Sequence, residues 1–214
     1  MESILIAGAN GQTGKRVIEI LKSSQSFKPV AMIRDEKQKE VFEDMGVETV
    51  LADLEKDVEH AVKGIDKVIF AAGSGGQTGE DKTLAVDQNG AIKLIDASKK
   101  AGVRKFVMLS SMGADEPSKH EKLKVYLEAK HMADEHLKKS GIPYSIIRPG
   151  ALTDDLGLAK VKLAEKLKEQ GEISRDDVAF LLVMSLADPL VKNKTIEAVE
   201  GTESIKSAII EISR

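Results

Sequence analysis

The 214-residue sequence has no cysteine and no tryptophan, and only two tyrosines, five phenylalanines and five prolines. Without thiols there is no disulfide scaffold, no cysteine nucleophile, no thiolate zinc site and no cysteine-ligated iron–sulfur cluster. An aromatic content of 3% is too sparse for a base-stacking platform. Neither sign of charge dominates: 32 Lys and Arg stand against 35 Asp and Glu, a formal net charge of -3. Sequence-independent nucleic-acid binding needs a basic face, which this balance does not supply. No apolar run approaches membrane-spanning length. The start, Met1-Glu2-Ser3-Ile4-Leu5, lacks the basic region and long apolar stretch of a secretory leader. The expectation is a soluble, cytoplasmic globular protein with no nucleic-acid or membrane partner.

Along the first 150 residues, short apolar runs alternate with longer helical patterns. Ile4–Ala7, Pro29–Ile33, Val47–Ala52, Lys67–Ala72, Lys105–Leu109 and Tyr144–Arg148 read as strands. Thr13–Ser23, Arg34–Asp44, Lys56–Lys63, Asp81–Ala101 and Glu121–Ser140 read as helices between them. This alternation predicts right-handed βαβ units and an α/β fold of Rossmann type, a doubly wound parallel sheet. The strands are nearly continuous apolar runs, which suits burial on both faces. Gly73-Ser74-Gly75-Gly76-Gln77-Thr78-Gly79 has the glycine density of a mobile loop. After Gly150 the pattern weakens. Val178–Ala187 and Ile205–Ile212 suggest helices and Thr195–Val199 a strand. The lysine-rich stretch Lys160–Lys168 mixes acids with bases and reads as a solvated helix face. We expect a single domain over residues 1–214, with 151–214 forming a small extension on the substrate side.

The turn Gly8-Ala9-Asn10-Gly11-Gln12-Thr13-Gly14 lies between the first strand and the first helix. Glycine at 8, 11 and 14 lets the chain turn sharply, lets backbone approach a diphosphate and lets the helix pack close to the sheet. The amides at the start of the helix, including those of Gln12 and Thr13, would face the anion. A glycine triplet alone is weak evidence; its place after a strand and before a helix makes it a dinucleotide-binding signal. About 20 positions past the last glycine, an acidic residue would select NAD through the ribose hydroxyls. Arg34 stands there instead, 20 residues beyond Gly14. A guanidinium suits a 2′-phosphate, so NADP(H) is expected over NAD(H), with a solvated Arg at a helix start as the competing reading. Asp53, followed by Leu54, has two readings, beside the adenine or as an N-cap. Ala71-Ala72-Gly73 ends the fourth strand at the carboxyl edge, where ligands bind in open α/β sheets.

Tyr126 and Lys130 are four apart on a predicted helix and therefore share a face. Ser110 and Ser111 end the fifth strand at the same sheet edge. An ammonium beside a phenol favours the phenolate, so the tyrosine can exchange protons near neutrality, while a serine hydroxyl holds the substrate oxygen. The lysine can also bond the nicotinamide ribose. The same spacing also fits an amphipathic surface helix. Tyr144 lies inside a predicted strand, which leaves Tyr126 as the candidate phenol. His131 and His136 are five apart and have no recognised metal spacing, so no metal site is expected.

Together, the Gly8–Gly14 turn, Arg34, Ser111, Tyr126-Leu127-Glu128-Ala129-Lys130 and Arg148-Pro149-Gly150-Ala151-Leu152-Thr153 resemble an atypical short-chain dehydrogenase/reductase over nearly the whole chain. The likeness is to small bacterial NAD(P)-binding proteins of the epimerase/dehydratase type, and the turn also resembles the NADPH-dependent biliverdin/flavin reductases. By that resemblance Ser111, in preference to Ser110, joins Tyr126 and Lys130 as the catalytic set. The family's asparagine on the preceding helix is matched by Asp87, which cannot donate as an amide does. Pro149, Gly150 and Ala151 match the segment that borders the nicotinamide.

The expected function is an NADP(H)-dependent oxidoreductase acting on a small carbonyl or alcohol. A nucleotide-sugar epimerase or dehydratase is the alternative within the enzymes, although 64 residues build little room for a nucleotide sugar. A flavin or biliverdin-type reductase needs less protein but no Tyr–Lys pair. A non-catalytic NADP-binding redox sensor is the alternative outside them. By the same resemblance, the two long helices at Asp81–Ala101 and Glu121–Ser140 are the pair through which many relatives dimerise, and a monomer or homodimer is expected.

Overall fold

A computed structural model of the chain describes residues 1–75, 78–187 and 189–213. The first half runs β1 (Glu2–Ala7), α1 (Gln12–Lys22), β2 (Phe27–Ile33), α2 (Lys39–Glu43), β3 (Glu48–Leu51) and β4 (Lys67–Phe70). Then come α3 (Glu80–Lys82), a π-helical segment (Thr83–Gly90), α4 (Ala91–Ala101), β5 (Lys105–Leu109), α5 (Lys124–Ser140) and β6 (Tyr144–Pro149). The last third adds β7 (Ala151–Thr153), β8 (Lys160–Ala164), β9 (Glu172–Ser174), α6 (Arg175–Ala187), β10 (Lys194–Glu200), β11 (Glu203–Ser204) and α7 (Ile205–Ile212).

Among the described residues the main sheet has nine strands in the order β11-β8-β10-β6-β5-β4-β1-β2-β3. From β10 through β3 every pairing is parallel, and β8 and β11 add an antiparallel edge. The order 3-2-1-4-5-6 within it is that of a dinucleotide-binding Rossmann fold, as the alternation of runs predicted. The chain reverses direction of winding between β1 and β4, and the crevice at their carboxyl ends is where such sheets bind ligands.

Strand geometry explains the two cores. Successive side chains point to opposite faces, so Ile4 and Ile6 enter one apolar cluster while Leu5 and Ala7 enter the other. Val107 and Leu109 divide from Phe106 and Met108 in the same way. Helices α1, α6 and α7 cover the first face, and α4 and α5 the second. Both faces are buried, which is why these strands read as continuous apolar runs.

Several expected elements need correction. The stretch Arg34–Asp44 is helical only as a short 3₁₀ turn, Glu36–Gln38, and α2; Lys56–Lys63 contains only the 3₁₀ turn Glu59–Val62. The long helix expected over Asp81–Ala101 is interrupted by the π segment. Helix α5 begins at Lys124, after a 3₁₀ turn over Glu121–Leu123. Lys160–Lys168 is no helix face: Lys160–Ala164 is strand β8, pairing antiparallel to β10 with Val161 buried. On its other side Lys160 and Val161 pair with β11, and the lysines Lys160 and Lys162 stay exposed to solvent. Gly76 and Gln77 of the glycine-rich loop, and Arg214, lie outside the described residues.

Candidate active site

The Gly8–Gly14 turn is built against the sheet. Gly8 has φ +86°, and a Cβ there would stand 2.5 Å from the Ala72 nitrogen. At Gly14 a Cβ would stand 2.1 Å from the Gly8 oxygen. Only glycine lets the turn press on β4's end and α1 press on the turn. The N-cap of α1, Gly11, offers no side-chain bond, and the first turn of α1 carries no acidic residue. The leading amides therefore face outward without an internal anion, which suits a phosphate. The cradle fits a dinucleotide diphosphate on its own geometry.

On one side of the turn lies a cavity of about 260 Å³. Gly8, Asn10, Gly11, Arg34, Asp53 and Leu54 line it, with Ala71, Ala72 and Gly73 closing it from β4. Arg34 is exposed there, and among the described residues its guanidinium has no ion pair; its amide bonds the Gln38 side chain at 3.1 Å. Asp53 accepts from the Glu55 amide at 3.0 Å, so it caps a turn and lines the cavity at once. On the other side the turn opens into a cleft of about 640 Å³. Gln12, Thr13, Asp87, Ser110, Tyr126 and Lys130 all line this cleft, and Gly11 and Ala71–Gly73 border both spaces. Gly14 lies buried beneath the turn.

Lys130 is 3% exposed, and its Nζ lies 2.9 Å from Asp87 Oδ1. The same ammonium sits 5.6 Å from the Tyr126 ring centroid and 6.0 Å from that of Phe70, within cation–π range. Burial alone would lower the Lys130 pKa, but the Tyr126 oxygen, Asp87 and Asp134 together hold it above the ordinary lysine value. Asp87 Oδ2 accepts from the Ser74 amide at 2.8 Å, tying the loop after β4 to the Lys130 pair. The π segment places Asp87 there. Its Gly90 packs where a Cβ would stand 2.8 Å from Leu54 Cβ, and π insertions of this kind often mark functional sites.

The two serines part company. Ser110 is buried, lines the cleft of Tyr126 and Lys130, and donates its hydroxyl to Asp134 Oδ2 at 2.8 Å. Ser111 lines an adjoining cavity of about 340 Å³ with Pro149, Gly150 and Ala151, and its hydroxyl donates to the Met112 carbonyl at 3.2 Å. Leu123 borders both spaces. Asp134 is the partner that sequence reading missed. Fully buried on α5, it also receives Arg148 of β6 at 2.9–3.0 Å. Burial raises the Asp134 carboxyl above its ordinary range, against the opposing pull of Arg148 and Ser110. Its position one helical turn past Lys130 was the available signal, but its partner arrives from a strand 14 residues on. The two histidines of α5 have partners elsewhere: His131 Nδ1 meets the Ala114 carbonyl at 2.9 Å, and His136 meets Asp96 at 2.7 Å. Among the described residues, no group of three or more His, Asp or Glu could hold a metal, and no helix is long and apolar enough to cross a membrane.

The profile of the NAD(P)H-binding family matches residues 8–189. The chain belongs to that family. The family match fits the cradle at Gly8–Gly14. A Bacillus subtilis (strain 168) protein described as an uncharacterized sugar epimerase, YhfK, is 43% identical over 96% of this chain and 98% of its own length. The sanguinarine reductase of Eschscholzia californica is 29% identical over 96% and 92% of the two chains. Among solved structures, a Bacillus halodurans protein described as a provisional NAD-dependent epimerase/dehydratase superposes with TM-score 0.95 at 36% identity, covering 99% of this chain and all of that one. The family resemblance read from the motifs is therefore shown, and reductases and epimerases both stand among the named relatives.

Proposed function

We propose that the chain is an NADP(H)-dependent oxidoreductase of the atypical short-chain dehydrogenase/reductase type, acting on a small carbonyl or alcohol. The observation that carries this reading is the buried Asp87–Lys130 pair beside Tyr126, in the cleft that the glycine turn borders. When bound, the cofactor supplies or accepts the hydride. Tyr126 holds the proton that reaches or leaves the substrate oxygen. Lys130 presents its ammonium to the phenol ring, and Asp87 keeps that ammonium charged and in place. Ser110 spends its hydrogen on Asp134 and so offers lone pairs to the cleft, toward a hydroxyl of the substrate or of Tyr126. Ser111, with Pro149, Gly150 and Ala151, lines the space into which the rest of the substrate would extend. Arg34, Asp53 and Leu54 line one cavity, where Arg34 would hold the 2′-phosphate and Asp53 and Leu54 would border the adenine.

NADPH oxidation by the purified protein against a panel of small carbonyls, quinones and flavins tests this reading. Turnover with at least one class is expected. A protein that binds NADPH yet oxidises it with no member of the panel overturns the proposal, and leaves an enzyme that recycles its cofactor or a non-catalytic sensor. The names of the two Bacillus relatives favour a second reading, an epimerase or dehydratase. It predicts product formed with catalytic cofactor and no net NADPH consumption.

A further inference from the structure

The diphosphate of a dinucleotide is doubly charged, yet Gly8–Gly14 contains no charged side chain to meet it. Arg16, the next cation along α1 after exposed Lys15, is already committed. Its Nε lies 2.6 Å from Asp176, and its NH1 donates to the Gln12 carbonyl at 3.0 Å. Those two bonds have a second effect, for they fasten the start of α6 to the first turn of α1. The residue before Asp176 is Arg175, half-buried, and it lines the cleft with Gln12 and Thr13. Its NH1 lies 3.0 Å from Asp154, a carboxylate that also touches Arg16 at 3.5 Å. Asp154 is 57% exposed, so this ion pair is weak and exchangeable. Of the other cleft cations, Lys130 is buried against Asp87, and Lys122 and Lys124 are exposed around the start of α5, where Lys124 pairs with Glu128.

We propose that Arg175 is a diphosphate-binding residue supplied by the C-terminal third, and that Asp154 holds it beside the turn until the cofactor displaces the carboxylate. The proposal rests on the cofactor reading above. A guanidinium presents paired donors to a phosphate, a stronger match than an exposed carboxylate contact. The glycine turn then contributes amides, and the far wall of the cleft contributes charge.

The test is a fluorescence titration with NADPH, alongside competition by adenosine 2′-monophosphate, which lacks the diphosphate. Arg175→Ala should weaken NADPH about tenfold or more, should flatten its salt dependence, and should leave the monophosphate unchanged. Arg175→Lys should recover part of the loss. Asp154→Asn, which removes the competing anion, should tighten NADPH several-fold. Melting curves confirm that each variant is folded. Unchanged NADPH affinity in Arg175→Ala overturns the proposal, as does an equal loss for both ligands, which marks a general disturbance of the site. A wild type that binds neither ligand removes the cofactor reading itself, and this proposal with it.

Discussion

At residue scale the site depends on a buried charge pair rather than on any single group. Lys130 and Asp87 are each almost fully buried, so neither charge is tolerable without the other. Asp87→Ala should therefore lower unfolding free energy by about 3–5 kcal/mol in denaturant titrations, far more than an exposed ion pair would cost. A loss below about 1 kcal/mol would mean that Lys130 finds water or another partner. Arg34 is the opposite case, exposed and with no ion pair to its guanidinium among the described residues. Arg34→Ala should leave stability and NADH affinity unchanged while weakening NADPH about tenfold, read by paired titrations. Loss of both cofactors equally would remove Arg34 from the 2′-phosphate role. Tyr126 and Lys130 were legible in the sequence because four residues on a helix share a face, a strictly local relation. Asp134 and Arg175 were not, nor was the pairing of Arg148 with Asp134, because the partners come from other strands and helices and leave no periodic trace.

At element scale the parallel core was legible and the C-terminal strands were not. Strands β1, β2, β4, β5 and β6 are apolar on both faces, a composition hard to mistake. Strands β7, β9 and β11 span three, three and two residues, too short to show a period. In β8, lysines alternate with buried or half-buried Val161 and Leu163, and the charge density hid the period of two. The π segment is equally invisible, because its insertion is set by what Asp87 and Gly90 touch. Two element joints are open to test. Gly8→Ala forces a left-handed residue against β4 and should cost more than about 1 kcal/mol, together with cofactor binding. A variant as stable as wild type would mean that the turn can relax away from the sheet. The α1–α6 joint depends on Asp176, whose carboxyl the Gly157 amide and Arg16 hold below its ordinary value. A depressed carboxylate adds stability above its unfolded pKa of about 3.9 and loses it as pH falls through the folded value. Wild type should thus exceed Asp176→Asn in melting temperature near neutrality, with the gap closing below about pH 4. A gap that persists in acid would assign the effect to packing.

At the scale of the whole molecule, one sheet brings its ligand surfaces to a single edge. The glycine turn, the ends of β4 and β5 and the face of α5 meet where winding reverses, and the C-terminal third closes the far side with Leu152 and Arg175. Sixty-four residues seemed little for a substrate region. They suffice because β10, β8 and β11 extend the existing sheet rather than building a second core. The resulting cleft of about 640 Å³ and its neighbour of about 340 Å³ suit a nicotinamide end and a compact substrate. The most direct test of the central claim, that Tyr126 exchanges the proton beside a bound NADP(H), is to measure NADPH affinity and turnover together in Tyr126→Phe. The account predicts affinity within about twofold of wild type and turnover reduced about a hundredfold or more. Full turnover by the phenylalanine variant would contradict it.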